Sequence, residues 1–202
     1  LSLRGPAPTV GRLLALFSGG GPLQRAALDA PISPRVAAND ENLGYSRGVN
    51  QGIRLSTGRA ILILNPDIIV REGSIDRLME FLDAHSDAGI VGSKLVYPDG
   101  RLQYSCRSFY TLSALVLRRT FLGRLFPRAK ALREHLLLDY DHETPRTVDW
   151  IIGACMLVRR EALETVGAMD ERFFLYFEDI DWCTRMKRHG WSVYYAPSSV
   201  MT

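Results

Sequence analysis

Ala60-Ile-Leu-Ile-Leu-Asn-Pro-Asp67 begins with five apolar residues in a row and ends with three of entirely different character. A short apolar run closed by a turn signal reads as a strand buried on both faces. Pro66 ends it, because proline cannot donate to a ladder and holds the residue before it extended. Asp67 then stands just past the carboxyl end of a buried strand, the edge where ligands bind in open α/β sheets. A carboxylate there suits a divalent cation, and the cation suits a diphosphate. Taken alone, Asn-Pro-Asp also reads as a plain turn.

The neighbouring segments give that strand its setting. Upstream, Asn42-Leu-Gly-Tyr-Ser-Arg-Gly-Val-Asn-Gln-Gly52 follows a short strand candidate at 35–38. Gly44 and Gly48 allow close backbone approach, and Ser46 is a candidate cap for a helix reaching about Ser56. Asn42, Arg47 and Asn50 would gather near that helix start, where amide and guanidinium groups suit an anion. A capped surface helix accounts for them equally well. Downstream, Ile75, Leu78, Met79 and Leu82 recur at helical spacing. Gly89 to Val96 is the next strand, and Tyr97-Pro-Asp-Gly100 is a turn. Strand, helix and strand in alternation predict a largely parallel sheet covered by helices. Residues 1–34 show no clear strand: Leu13, Leu14, Leu16 and Phe17 suggest one short helix and Gln24 to Leu28 another. Ser18-Gly-Gly-Gly-Pro22 reads as a connector, since no Lys-Ser/Thr follows it as in a phosphate-binding loop.

The second half carries two unusual stretches. Phe109 to Leu138 mixes Leu115, Val116, Phe121, Leu125 and Phe126 with Arg118, Arg119, Arg124, Lys130 and Arg133. Such a segment suits an anionic membrane surface, and equally a packed helix with a solvated basic face. Asp139 to Thr147 reads as a mobile loop and Val148 to Val158 as a long strand. Gly153-Ala154 in that strand marks a place where something approaches the backbone. After the apolar run Phe173–Phe177 come Glu178, Asp179 and Asp181, at the start of a helix. One carboxylate would suffice as a cap. The others suit a general base with a raised pKa, an i, i+4 pair between Asp181 and Arg185, or a metal.

The 202 residues are 47% apolar and 23% charged, with a formal net charge of +3. That is an ordinary globular composition, and it gives no reason to expect nucleic acid as a partner. Three widely spaced cysteines make neither a zinc pair nor a disulfide framework, which fits a reducing, cytoplasmic compartment. No apolar run is long enough to span a bilayer, and the first residues do not resemble a signal peptide. With no initial Met, the chain reads as a fragment or processed form.

In series, these blocks resemble family-2 glycosyltransferases of the GT-A fold, in their bacterial rhamnosyltransferase-like branch. The resemblance runs through Asn42–Gly52, Leu64-Asn-Pro-Asp67, Pro98-Asp-Gly100, Val148–Arg160, Val166–Glu171 and Phe173–Arg185. It implies an α/β, GT-A-type, Rossmann-like and mostly parallel sheet over residues 35–202, with a poorly defined segment at 1–34 where the first strands are missing. It also implies an inverting, metal-dependent transfer from a nucleoside-diphosphate sugar, dTDP-rhamnose-like, to a glycan or polyprenyl-linked acceptor. Asp67 would ligate Mg or Mn, with Asn65 in place of the motif's first Asp. Asp179 would be the base and Glu178 its positioning partner. Asn42, Arg47, Asn50 and Asn65 would bind the donor. Trp150, Gly153, Ala154 and Asp181 would line the acceptor or sugar pocket. The family pattern further places a His beyond Thr202. Residues 112–133 would supply a peripheral contact at the inner face of the cell membrane. A catalytically silent remnant or interaction module is the other expectation, and a nucleotidyltransferase a more distant one.

Overall fold

The computed structural model of the chain describes residues 14–18, 35–126 and 129–202. Two strands come first, β1 (Leu14–Ser18) and β2 (Arg35–Asn39), followed by α1 (Tyr45–Leu55) and β3 (Ala60–Leu64). Then come α2 (Ser74–Ala84), β4 (Ala88–Val96), β5 (Leu102–Gln103) and β6 (Cys106–Arg107). Three helices follow, α3 (Leu112–Arg119), α4 (Leu122–Leu125) and α5 (Lys130–Leu136). The chain closes with β7 (Arg146–Thr147), β8 (Trp150–Ile151), β9 (Cys155–Arg159), α6 (Arg160–Val166), α7 (Glu178–Arg188) and β10 (Ser192–Met201).

The main sheet has the order β3-β9-β4-β10-β7, with β5 added to β4. β3 is antiparallel to β9, β9 antiparallel to β4, and β4 parallel to β10. So β3, β4 and β10 run the same way, as strand-helix alternation predicts, and β9 is the reversed strand between two of them. β3, expected to be buried on both faces, is fully buried on one only: Ile61 and Ile63 are buried, whereas Ala60, Leu62 and Leu64 are partly buried at the end of the sheet. Met156 and Val158 of β9 enter one apolar cluster with Ile61, Ile63, Trp182 and Met186. Cys155 and Leu157 enter another with Leu78, Leu82, Val91 and Leu95. The period of two divides each strand between a layer of α6 and α7 and a layer of α2. Two arginines brace the layers: Arg159 donates to the carbonyls of Ala88, Leu82 and His85, and Arg160 to Ser56.

Several expectations change. Leu14–Ser18 is a strand, parallel to β2, rather than a short helix. A run of five residues is too short for helical spacing to separate the two. Residues 1–34 therefore contribute at least one strand. The helix expected over 24–28 lies outside the described residues. The long strand at 148–158 is broken: β8 ends at Ile151, Gly153 and Ala154 turn, and β9 starts at Cys155. Ser46 does not cap α1; the cap position is Gly44, and the Ser46 hydroxyl is buried without a hydrogen-bond partner among the described residues. Among the described residues nothing lies within 4 Å of a Cβ built on Gly48, whereas Gly44 lies against Phe174. The 139–147 loop is anchored, because His142 is buried against Tyr140 and Tyr195.

Candidate active site

The break in the 148–158 segment builds the site. Register sets Leu64 opposite Cys155 at the end of β3. One step further, the Asn65 N–H donates to the Ala154 carbonyl at 2.9 Å. On the other side of the same turn, the Gly153 N–H donates to Asp179 Oδ2 at 3.2 Å. Asn-Pro-Asp67 and Glu178-Asp179, 111 residues apart in the chain, are thus fastened to one two-residue turn.

Tyr45 holds the turn from behind. Its hydroxyl donates to the Gly153 carbonyl at 2.6 Å, and its own N–H donates to Phe174 at 2.8 Å. A Cβ on Gly153 would stand 2.8 Å from that hydroxyl oxygen, so the close approach expected at Gly153 is made by Tyr45. Burial pushes the Tyr45 pKa well up, reinforced by the negative charges of Glu178 and Asp179, so the phenol stays a donor.

The two acids sit at the first turn of α7. Burial raises the pKa of both. For Asp179 the rise is opposed by hydrogen bonds from the Ile180 and Gly153 N–H groups and by the nearby Arg107 charge. Glu178 is 5% exposed, and its Oε2 has no partner among the described residues. Immediately before them, Tyr176 and Phe177 have φ of 70° and 72°. Two non-glycine residues in the left-handed region store about 1–3 kcal/mol each, a cost found mostly at functional positions. Phe174, Leu175 and Tyr176 project outward, so they are not the rings that desolvate the acids.

Asp67 has the opposite setting. It is exposed, with no hydrogen bond or ion pair to any described residue. The segment after it is sewn to the end of β10: Thr202 N–H donates to the Ile69 carbonyl at 3.0 Å, and Arg71 Nε to Thr202 Oγ1 at 2.9 Å. Among the described residues no three His, Cys, Asp or Glu side chains group as a metal cage. One free carboxylate fits a hard cation held mainly by substrate oxygens and water, the common arrangement for Mg²⁺.

A family profile described as glycosyltransferase-like family 2 matches residues 27–202. The chain belongs to that family. The N-acetylglucosaminyl-diphospho-decaprenol L-rhamnosyltransferase of Mycobacterium tuberculosis is 32% identical over 189 residues, 87% of this chain and 60% of that protein. The rhamnosyltransferase WbbL of Escherichia coli is 30% identical, over 68% of this chain and 49% of that protein. The chain thus spans about half to three-fifths of the length of these relatives. Among solved structures, GalNAc-T7 with UDP, GalNAc and Mn2+ superposes with a TM-score of 0.65 at 13% identity, over 94% of this chain and 37% of that one. A mannosyltransferase from Pyrobaculum calidifontis, in complex with GDP-Man and Mn2+, gives 0.59 at 16% identity over 94% of this chain and 46% of that one. The fold of this family-2 chain is accordingly GT-A.

Other residues expected in the site have different surroundings. Asn50 is 4% exposed, and its amide exchanges hydrogen bonds with the Met169 backbone and donates to Glu171. Arg47 pairs with Glu171 at 3.6 Å, and Asn42 accepts from the Gly44 N–H. These groups tie α1 to the 169–171 loop. Asp181 accepts from Arg185 Nε at 2.7 Å, and that guanidinium also braces the carbonyls of Val166 and Ala168. Trp150 is buried, donating to the Ser108 carbonyl. Tyr45 and Arg107 escaped the sequence reading. Tyr45 lay inside a quoted block, where its aromatic character beside Gly44 was the available signal. Arg107 belongs to no motif.

Proposed function

We propose that this family-2 protein transfers a sugar, rhamnose-like, from a nucleoside-diphosphate donor to a hydroxyl of a glycan or polyprenyl-linked acceptor. The carrying observation is that the Gly153-Ala154 turn bonds both the Asn65 backbone, two residues before the free and exposed Asp67, and the half-buried Asp179, whose pKa is raised. The names of the relatives support the donor and acceptor classes.

In this reading Asp67, with Asn65 beside it, would hold Mg²⁺ or Mn²⁺, which when bound would supply positive charge to the leaving diphosphate. Asp179 takes the proton of the acceptor hydroxyl as its oxygen bonds to the anomeric carbon. The bond from that carbon to the diphosphate oxygen breaks in the same displacement, its electron pair leaves with the nucleoside diphosphate, and the configuration inverts. The Gly153 and Ile180 N–H groups aim the carboxylate, leaving a lone pair on each oxygen for the incoming proton. Tyr45 fixes the turn that carries Gly153. Asn42, Arg47 and Asn50 serve the donor side indirectly, by fixing α1. Trp150, Gly153 and Ala154 line the acceptor or sugar pocket.

Purified protein given Mn²⁺ or Mg²⁺ and a dTDP-sugar with acceptor should release dTDP, and Asp179→Asn should not. Turnover by Asp179→Asn at the parent rate would remove Asp179 as base. Calorimetry showing no binding of any nucleoside diphosphate with metal would favour a silent scaffold instead.

No helix among the described residues is long and apolar enough to cross a membrane. The helices at 112–136 nonetheless expose Leu112, Phe121, Leu125 and Phe126 beside several arginines, which supports peripheral binding to an anionic bilayer. Flotation with phosphatidylglycerol vesicles should carry the protein up; indifference to vesicle charge would count against this contact.

A further inference from the structure

Three arginines beside the candidate base have no carboxylate partner. Among the described residues Arg107, Arg118 and Arg119 make no ion pair, and Arg118 has only the Tyr110 hydroxyl at 3.3 Å and His135 Nε2 at 3.1 Å as side-chain partners. Arg107 is paired across β6 and β8 with Trp150, and its guanidinium lies 5.4 Å from that ring. Its Nε is buried with no hydrogen-bond partner; only one Nη reaches a carbonyl, that of Tyr104 at 3.3 Å. Arg118 stacks 5.9 Å from the Tyr110 ring, and Arg119 stands 5.5 Å from the Phe177 ring, directly before Glu178. Tyr110 lies between them, 6.2 Å from Trp150 and 6.3 Å from Phe177.

Burial and the neighbouring Arg118 charge both push the Arg107 pKa down, so the fold brings like charges together with no anion among the described residues to offset them. An anion reaching the outer Nη groups of Arg107 and the exposed Arg118 and Arg119 would offset that crowding, and guanidinium groups suit phosphate oxygens best.

The surroundings order the anion's other parts. Asp179 is close enough for Arg107 to lower its pKa. Two residues past Arg119 in the chain, Phe121, Leu125 and Phe126 are 70%, 63% and 59% exposed. Hydroxyl acceptor, negative charge and apolar chain follow one another in that order in a lipid diphosphate sugar.

We propose that Arg107, Arg118 and Arg119 form a subsite for the diphosphate of a lipid-linked acceptor, with its chain leaving over Phe121, Leu125 and Phe126. The proposal rests on the transferase reading for the direction of the acceptor, but binding tests it without turnover. The probe is geranyl diphosphate, titrated calorimetrically into the protein already saturated with nucleoside diphosphate and Mn²⁺. It should still bind, and both Arg107→Gln and the double variant Arg118→Ala, Arg119→Ala should weaken it about tenfold or more, as loss of charge-assisted contacts does. Affinity for the nucleoside diphosphate should stay unchanged. Arg118 and Arg119 are exposed, so the double variant keeps the test alive should Arg107→Gln fail to fold. No binding of geranyl diphosphate, or its displacement by nucleoside diphosphate, would overturn the subsite; displacement would assign the arginines to the donor instead. Absence of transfer with intact geranyl diphosphate binding would remove the transferase reading and leave the subsite standing.

Discussion

Asp179 is bonded to the Gly153-Ala154 turn and Asp67 lies two residues beyond Asn65, which is bonded to it too, yet the protein treats the two aspartates in opposite ways. Asp67 follows a proline at a strand end, open to solvent and untouched by any described side chain. Asp179 is packed into the first turn of a helix, held by two N–H groups, and its pKa is raised by burial. A carboxylate that is to share a cation with a substrate gains from being uncommitted. One that is to take a proton gains from being desolvated and aimed. In the proposed reading, environment alone suits two residues of one chemistry to two different jobs.

The strongest way to break the comparison is at Asp179. Asp179→Asn should lower kcat by about a hundredfold to ten-thousandfold, the usual worth of a positioned base. Its thermal stability should be unchanged or slightly higher. A folded pKa above the unfolded one means that the favourable contribution is complete at low pH and lost as pH rises through the folded value, so ionised Asp179 burdens the fold at neutral pH. The same shift fixes the pH profile: kcat/KM should fall on acidification along a limb lying above the ordinary aspartate pKa. A limb at the ordinary value, or one that survives in Asp179→Asn, would mean that another group takes the proton.

Asp67→Asn comes next. With no protein partner to lose, its melting temperature should shift negligibly, within about 0.5 kcal/mol of stability. Turnover at low Mn²⁺ should fall about a hundredfold, with partial recovery as Mn²⁺ is raised, if the carboxylate is the protein's share of the cation's shell. An unaltered metal dependence would detach Asp67 from the cation.

The two aspartates were not equally legible in the sequence. Asp67 was readable because a continuous apolar run and a proline are local signals, and β3 lies where they put it. Asp179 was readable as a helix-start acid, but its raised pKa comes from tertiary burial. The turn bonded to Asn65 and Asp179 was misread as mid-strand: β-branched and apolar residues surround Gly153-Ala154, and the Tyr45 hydroxyl that holds the turn comes from 108 positions away. β1 was missed for the converse reason, since five residues cannot display a period. Arg107 could not have been found at all. Arg107 is set apart by a buried Nε with no partner among the described residues, and burial and partners are properties of the fold.

Gly153→Ala probes the joint itself. The added Cβ would meet the Tyr45 hydroxyl oxygen at 2.8 Å, and overpacking of this kind costs about 1–3 kcal/mol. Tyr45→Phe removes that donor instead and leaves the Gly153 carbonyl unpaired, at about 1–3 kcal/mol. Both should lower kcat more than their stability loss predicts, because Gly153 also orients Asp179. If both lower the melting temperature and leave kcat intact, the turn is scaffold only, and the link between the two aspartates carries no catalytic weight.

Asp181 gives the smallest and most discriminating effect. It is two residues from the base on the same helix turn, yet its carboxylate is spent on Arg185, with both side chains about a quarter exposed. Such an i, i+4 pair contributes about 0.5 kcal/mol, and the bracing of Val166 and Ala168 by the same guanidinium adds to it. Asp181→Asn should therefore cost about 0.5–1 kcal/mol by chemical denaturation and leave kcat and both KM values near those of the parent. A rise in acceptor KM without a stability loss would bring Asp181 into the acceptor pocket. The contrast would then no longer be between two aspartates, because a third would share the acceptor side with Asp179.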